Sequence, residues 1–188
     1  MDTGQLEGIL KFFKNSEQLK DTTRSAYTSK GRHESSAEHS WRLCLMAVVL
    51  EKEFPGIDIG KLLKLCIIHD LGEAMNGDIP AVDQTDDINN KGMEERKDLM
   101  ELARPLSPEL QKKILGLWDE YENAESQEAK LAKALDKLET LIQHTQGKNM
   151  GNIDFQFNIN YGRQYTDYSS VTRELRAIID METKKLAG

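Results

Sequence analysis

The sequence predicts an all-α fold in a single domain, and three observations carry that prediction. Apolar residues recur at helical spacing along most of the 188 residues. Glycine and proline are sparse, at 13 and 4, which argues against linker-like or low-complexity character. Alternating strand patterns are nearly absent. The length fits one domain over residues 1–188, able to bury a core without disulfides or metal staples.

The elements follow in order. Leu6, Ile9, Leu10 and Phe13 form the stripe of a first amphipathic helix. Residues 20–35 are polar and irregular and read as a loop. Ser35 or Ser36, with Glu38 behind it, makes a capping-box start. The helix that follows carries Leu43, Met46, Ala47, Leu50 and Phe54 on one stripe. Leu45, Val48 and Val49 make a second, so the helix is expected to be buried nearly all round. Pro55-Gly56 ends it, and Asp58 caps a run through Leu62, Leu65, Cys66 and Ile68 into His69-Asp70. Residues 81–90 read as an acidic loop, with Asp83, Asp86 and Asp87 solvated or forming a lid. Ser107-Pro108-Glu109 starts a further helix. Ser126 starts another, with Leu131, Leu135, Leu138 and Ile142 inward and Gly147 at its end. Residues 151–168 read as a loop, and a last helix over 169–186 uses Val171, Leu175, Ile178, Ile179 and Met181.

Composition excludes several functions. With 25 basic and 32 acidic residues the net charge is −7, so a nucleic-acid polymer is not the expected partner. No apolar run approaches the roughly 20 residues of a membrane span. The start, Met1-Asp2-Thr3-Gly4, lacks signal-peptide character. Cys44 and Cys66 sit in apolar helical patterns without CxxC spacing, as small core residues in a reducing compartment. A cytoplasmic address is the expectation.

Chemistry enters where ionisable groups interrupt apolar stripes. His39 precedes Leu43 by four and Met46 by seven, on the core face of its helix. His69-Asp70 ends an apolar run, and Asp136 edges the stripe of Leu135. A buried carboxylate is costly unless paired, hydrogen-bonded or bound to metal. Each residue alone also reads as a hydrogen-bonded core histidine or a cap. Together they favour one divalent ion held by two imidazole nitrogens and two carboxylate oxygens, a donor set suited to Mn, Co, Fe or Zn. Glu73 follows His69 by four and Asp70 by three, so a continuing helix would aim it at the same cavity for proton transfer. Its other reading is a surface acid beyond a break at Gly72.

The ordered set His39, His69-Asp70 and Asp136 resembles the H…HD…D signature of the HD-domain phosphohydrolases. Glu34-Ser35-Ser36-Ala37-Glu38-His39-Ser40, His69-Asp70-Leu71-Gly72-Glu73-Ala74 with Gly77-Asp78-Ile79-Pro80, Leu117-Trp118 with Tyr121-Glu122, and Leu135-Asp136-Lys137 extend the match over about residues 24–143. They point to the 5′-deoxyribonucleotidase-like subgroup. The resemblance implies an all-α HD-domain helical bundle, a homodimer, and one divalent metal ion, with Mg joining the candidates. It also implies removal of the 5′-phosphate from (deoxy)nucleoside 5′-monophosphates by water that the ion activates. Asp78 is implied as catalytic beside Glu73, and Arg24 as the partner of the substrate phosphate, a geometry that suits a guanidinium fork. Tyr27 is implied as a substrate-binding aromatic, although Ser25-Ala26 separate it from Arg24 where some members place the aromatic directly after the arginine.

Other singled-out residues read blandly. His33 is a loop residue near the cavity mouth. His144, in the last turn before Gly147, suits a partial positive charge against the helix dipole. Trp41 and Trp118 are core or subunit-interface aromatics. Two competing functions remain: an HD phosphohydrolase acting on a triphosphate or cyclic nucleotide, and a non-catalytic metal- or nucleotide-binding regulatory module. Glu73 and Asp78 speak against the second, since binding alone needs neither.

Overall fold

The computed structural model describes residues 1–78 and 88–188. Asp83, Asp86, Asp87 and the Ile79-Pro80 half of the expected turn lie outside them. Local signals start most helices. Asp2 and Ser35 form capping boxes at α1 (Thr3–Asn15) and α2 (Ser36–Val49). Asp58 accepts from the Lys61 amide to start α3 (Ile59–Ile68). After the short α4 (Glu73–Asn76) comes α5 (Ile88–Ala103), which begins inside the loop expected over residues 81–90 and continues where the sequence pattern predicts no element. Ser107 caps α6 (Pro108–Glu122), Ser126 caps α7 (Gln127–Gln146), and Ser169 caps α10 (Ser170–Leu186).

Helix α7 is the axis. Helices α2, α3, α6 and α10 pack round it and bury Leu43, Leu62, Leu65, Leu131, Leu135, Leu138 and Leu141 almost completely. A second cluster of Phe12, Leu19, Leu71, Leu99, Leu102 and Trp118 fills the space between α1, α5 and α6. Both cysteines belong to the main core, Cys66 fully and Cys44 at its edge.

Several expectations are corrected. Residues 20–35 are not a loop: β1 (Thr23–Tyr27) and β2 (His33–Ser35) pair as an antiparallel hairpin, with Gly31 at a positive φ in its turn. Long-range partners hold it. The Tyr27 amide donates to Asn149 Oδ1 at 2.6 Å and its carbonyl accepts from Gln143 Nε2 at 2.6 Å. Gly147 permits this contact, because a Cβ there would stand 1.8 Å from the Tyr27 carbonyl oxygen.

Helix α2 is not buried all round. It ends at Val49, so Phe54 reaches the core from beyond it. Leu45, Val48 and Val49 are exposed with Trp41, because only the opposite face meets α3 and α7. In α1 the buried residue is Phe12, while Leu6, Leu10 and Phe13 are exposed, since the Gly8 side lies against the Pro105 carbonyl. Residues 151–168 contain α8 (Phe155–Asn158) and α9 (Arg163–Thr166). They are fixed to α10 by buried Arg176, which donates to the carbonyls of Asn158 and Tyr161. In α10 Ile179 is buried but Ile178 and Met181 are exposed.

Candidate metal centre

Three helices bring the sequence-predicted residues together. Ser35 caps α2 so that Ser36, His39, Ser40, Leu43 and Ala47 form its inner face. His69 and Asp70 follow the last turn of α3, and Trp118 of α6 holds that corner by donating Nε1–H to the His69 carbonyl at 3.1 Å. Asp136 faces them from α7.

Asp70 Oδ2 lies 3.1 Å from His69 Nε2 and 3.7 Å from His39 Nε2. Asp136 Oδ1 lies 3.2 Å from His39 Nε2. Donor atoms of His39, His69 and Asp70 all lie within 4.8 Å of one another. Donors about 2.1 Å from one ion stand about 3 Å apart at right angles and about 4.2 Å apart when opposite, so the separations among His39, His69 and Asp70 fit a common centre, which Asp136 adjoins through its approach to His39 Nε2.

The buried polar atoms give the test of fit. Each ring has its Nδ1 engaged, His39 by Glu139 Oε2 and His69 by the Cys66 carbonyl at 2.8 Å. Neither Nε2 has a hydrogen-bond partner, although both are buried. Lone-pair nitrogens facing carboxylate oxygens repel unless a cation stands between them. The residues present therefore fit a divalent ion. A proton can take that role on His39, whose pKa rises to about 10. Burial and the Arg24 charge oppose the rise, but Glu139 and Asp136 outweigh them. Asp70 and Asp136 are held below the ordinary carboxylate range. Burial works against this, and the neighbouring imidazoles together with Arg24 for Asp70, and Lys137 with the imidazoles for Asp136, prevail.

The second oxygen of Asp136 is fixed independently. Tyr121 O–H and Lys137 Nζ both reach Oδ2 at 2.8 Å, leaving Oδ1 toward His39. The Tyr121 ring also packs on His69, centroids 5.0 Å apart.

The chain does not continue as one helix to Glu73. A turn over residues 69–72 intervenes and α4 begins at Glu73, yet its carboxyl is buried and accepts from Ser36 Oγ at 2.7 Å. Burial, with the charges of Asp70 and Asp78, pushes its pKa up to about 9. Asp78, half-buried after Gly77, thus faces Glu73 and Arg24 electrostatically. Arg24 points inward from β1 and donates to Asp70 Oδ2 at 3.2 Å and Thr140 Oγ1 at 3.3 Å.

Tyr27 is not brought into this cluster. Its ring lies against His33, centroids 4.0 Å apart, and its backbone is taken by Asn149 and Gln143. His33 is an exposed strand residue whose Nδ1 meets the Arg24 carbonyl, not a loop residue. His144 is not positive: burial lowers its pKa to about 4, outweighing the contact with Asn158 Oδ1 that would raise it. Trp118 is core, as expected, while Trp41 is exposed.

A model of the HD-domain family matches residues 16–176. The chain belongs to the HD-domain family. Among its relatives, the 5′-deoxynucleotidase HDDC2 of Dictyostelium discoideum is 34% identical over 146 residues, covering 73% of this chain and 76% of that protein. The protein of the same name from Danio rerio is 33% identical over 140 residues, covering 73% and 68%. A crystal structure of a Magnetospirillum magnetotacticum MS-1 protein, described as a "Predicted metal-dependent phosphohydrolase", matches this HD domain with a TM-score of 0.83. It is 26% identical and covers 97% of this chain and 93% of that one.

Sequence reasoning missed Glu139, Arg42, Ser36 and Lys137 as parts of this centre. Glu139 was within reach of it: like Asp136, it is an acid among the inward leucines of α7, one after Leu138 and four after Leu135.

Proposed function

We propose that this HD domain is a divalent-metal-dependent phosphohydrolase that releases the 5′-phosphate of (deoxy)nucleoside 5′-monophosphates. His39, His69, Asp70 and Asp136 hold the ion, and the observation that carries the reading is the pair of buried, unpartnered Nε2 atoms facing two carboxylates. When bound, a divalent ion (Mn, Co, Fe, Zn or Mg) supplies a positive centre that holds a phosphate oxygen and makes water a better nucleophile.

The chain's own residues supply the rest. Arg24 turns its guanidinium to the edge of the cluster, where a phosphate dianion replaces some of its contacts to Asp70 and Thr140. Glu73, kept protonated near neutral pH by burial and by Asp70 and Asp78, carries the proton to the leaving 5′-oxygen, and Ser36 fixes its carboxyl. Asp78 acts through its charge on Glu73 and Arg24. Tyr27 stays outside the phosphate site in this reading.

The names of the relatives support the monophosphate over triphosphate or cyclic substrates. A homodimer belongs to the proposal too, supported by the exposed stripe Trp41, Leu45, Val48 and Val49 that a second copy would cover. So does a cytoplasmic address, supported by the two free thiols. No helix among the described residues is long and apolar enough to cross a membrane.

The experiment is phosphate release from mono-, tri- and cyclic nucleotides, on protein stripped by chelator and then given Mn, Co, Fe, Zn or Mg in turn. Release from 5′-monophosphates only with an added ion is expected, and Asp70→Ala and Asp136→Ala should lose ion and turnover together. A protein that retains the ion yet releases nothing from any monophosphate refutes the proposal.

A further inference from the structure

Helices α2 and α7 meet through a second set of polar side chains just behind the metal centre. His39 and Arg42 lie three apart on α2, and Asp136, Glu139, Gln143 and Gln146 line the facing side of α7. Glu139 is fully buried. Its Oε2 meets His39 Nδ1, and its Oε1 accepts from Arg42 Nε at 2.5 Å and from one terminal nitrogen of that guanidinium. The terminal nitrogens also donate to Gln143 Oε1 at 2.6 Å and Gln146 Oε1 at 3.2 Å. Arg42 is thus clamped by one face of α7, and both oxygens of Glu139 are occupied.

An ionised carboxylate only accepts. The hydrogen between Glu139 and His39 therefore belongs to Nδ1, and the neutral ring presents its lone pair at Nε2, toward Asp136 and Asp70. His69 reaches the same tautomer by a different means, donating to the neutral carbonyl of Cys66. We propose that Glu139 is the positioning residue for His39. It fixes the ring's tautomer and rotation and raises its basicity as a ligand, while Arg42 holds the carboxylate in place. The proposal rests on the reading of His39, His69, Asp70 and Asp136 as a metal centre.

Glu34, His39 and Glu139 also come within ligand reach of one another, but they do not make a second metal site. The Arg42 guanidinium contacts Glu139 and lies 3.5 Å from Glu34, and Arg24 Nε lies 3.8 Å from Glu34. These carboxylates already have their cations, and His39 has spent its Nδ1.

The test uses the full chain, stripped of metal, as wild type, Glu139→Gln, Glu139→Leu and the pair Glu139→Leu with Arg42→Met. The double variant removes both members of the ion pair, so that no buried charge is left alone. Co²⁺ and Mn²⁺ affinities are measured by equilibrium dialysis, the visible spectrum of the Co²⁺ form reports ligand geometry, and thermal unfolding without metal reports the fold. Expected is a graded loss that follows acceptor strength. Glu139→Gln should show a measurable loss of up to about tenfold, and the leucine variants about 10–100-fold with an altered Co²⁺ spectrum. Wild-type affinity and spectrum in the double variant, or in Glu139→Gln if the leucine variants fail to fold, overturns this assignment alone. A wild-type chain that binds neither ion overturns the reading of the centre, and this assignment with it.

Discussion

His144 should make the protein acid-sensitive in a defined window. The imidazole sits in the last turn of α7 with Nδ1 against the side-chain amide of Asn158, 2.9 Å from its Nδ2 and 3.2 Å from its Oδ1. Burial lowers its pKa from 6.5 to about 4, with the Asn158 contact opposing. As pH falls, the unfolded chain takes up this proton first. The contribution to stability is therefore intact above pH 6.5, declines through the window, and is fully lost below about pH 4. At about 1.4 kcal/mol per pH unit, the gap amounts to about 3 kcal/mol. His144→Gln removes the titration and keeps an acceptor for Asn158. Urea unfolding of both proteins, followed from neutral pH downward, should give parallel stabilities above pH 6.5. Below that the wild type should lose ground progressively, by about 3 kcal/mol near pH 4. The imidazole proton signals should show a midpoint near 4. Curves that stay parallel to pH 4, or a midpoint near 6.5, would refute the desolvation argument and restore the simple dipole expectation.

Three further outcomes follow from named contacts. Glu73→Gln preserves shape and the Ser36 contact but cannot deliver the proton, so ion content by elemental analysis should be unchanged while kcat falls by about 10²–10⁴-fold; undiminished kcat removes Glu73 from the chemistry. Arg24→Lys should weaken substrate binding nearly as much as Arg24→Ala, because an ammonium cannot reproduce the fork that reaches Asp70 and Thr140, and a wild-type KM in the lysine variant would count against that role. Gly147→Ala should destabilise by about 1–3 kcal/mol in urea or thermal unfolding, since the new methyl would overlap the Tyr27 carbonyl.

What the sequence discloses depends on whether the deciding interaction is local. Asp58, Ser107 and Ser126 start the helices they are expected to start, because the donor lies three residues on. His39, His69, Asp70 and Asp136 were legible for a related reason: an ionisable group inside an apolar stripe violates the local pattern, and a shared site explains the violations together. The hairpin was not legible, because Tyr27 is held by Asn149 and Gln143, more than a hundred residues away. Helix α5 hid behind Glu94, Glu95, Arg96, Lys97 and Asp98, which outnumber the residues buried among its described side chains, Leu99, Leu102 and Ala103. The outer stripe of α2 misled for a different reason. Apolar spacing shows that a face is sticky, but not whether anything within the same chain covers it.

Charge balance ties the ion, Glu73 and the arginines into one argument. Asp70, Asp136, Glu139, Glu34, Glu73 and Asp78 crowd the centre, with Arg24, Arg42 and Lys137 as the fixed cations around it. The carboxylates outnumber the cations, an excess that a low-dielectric interior does not tolerate, and burial beside Glu139 already pushes the Glu34 pKa up to about 7. Protonation of Glu73, whose pKa is about 9, removes one. A divalent ion would offset what remains and let both imidazoles stay neutral. Without the ion, His39 must recruit a proton, which is why its pKa climbs to about 10 although burial and Arg24 both oppose it. A site built only to grip a metal would have no use for a protonated acid beside it. The same electrostatics that would make room for the cation hold Glu73 protonated near neutral pH, the state the proposed proton transfer requires.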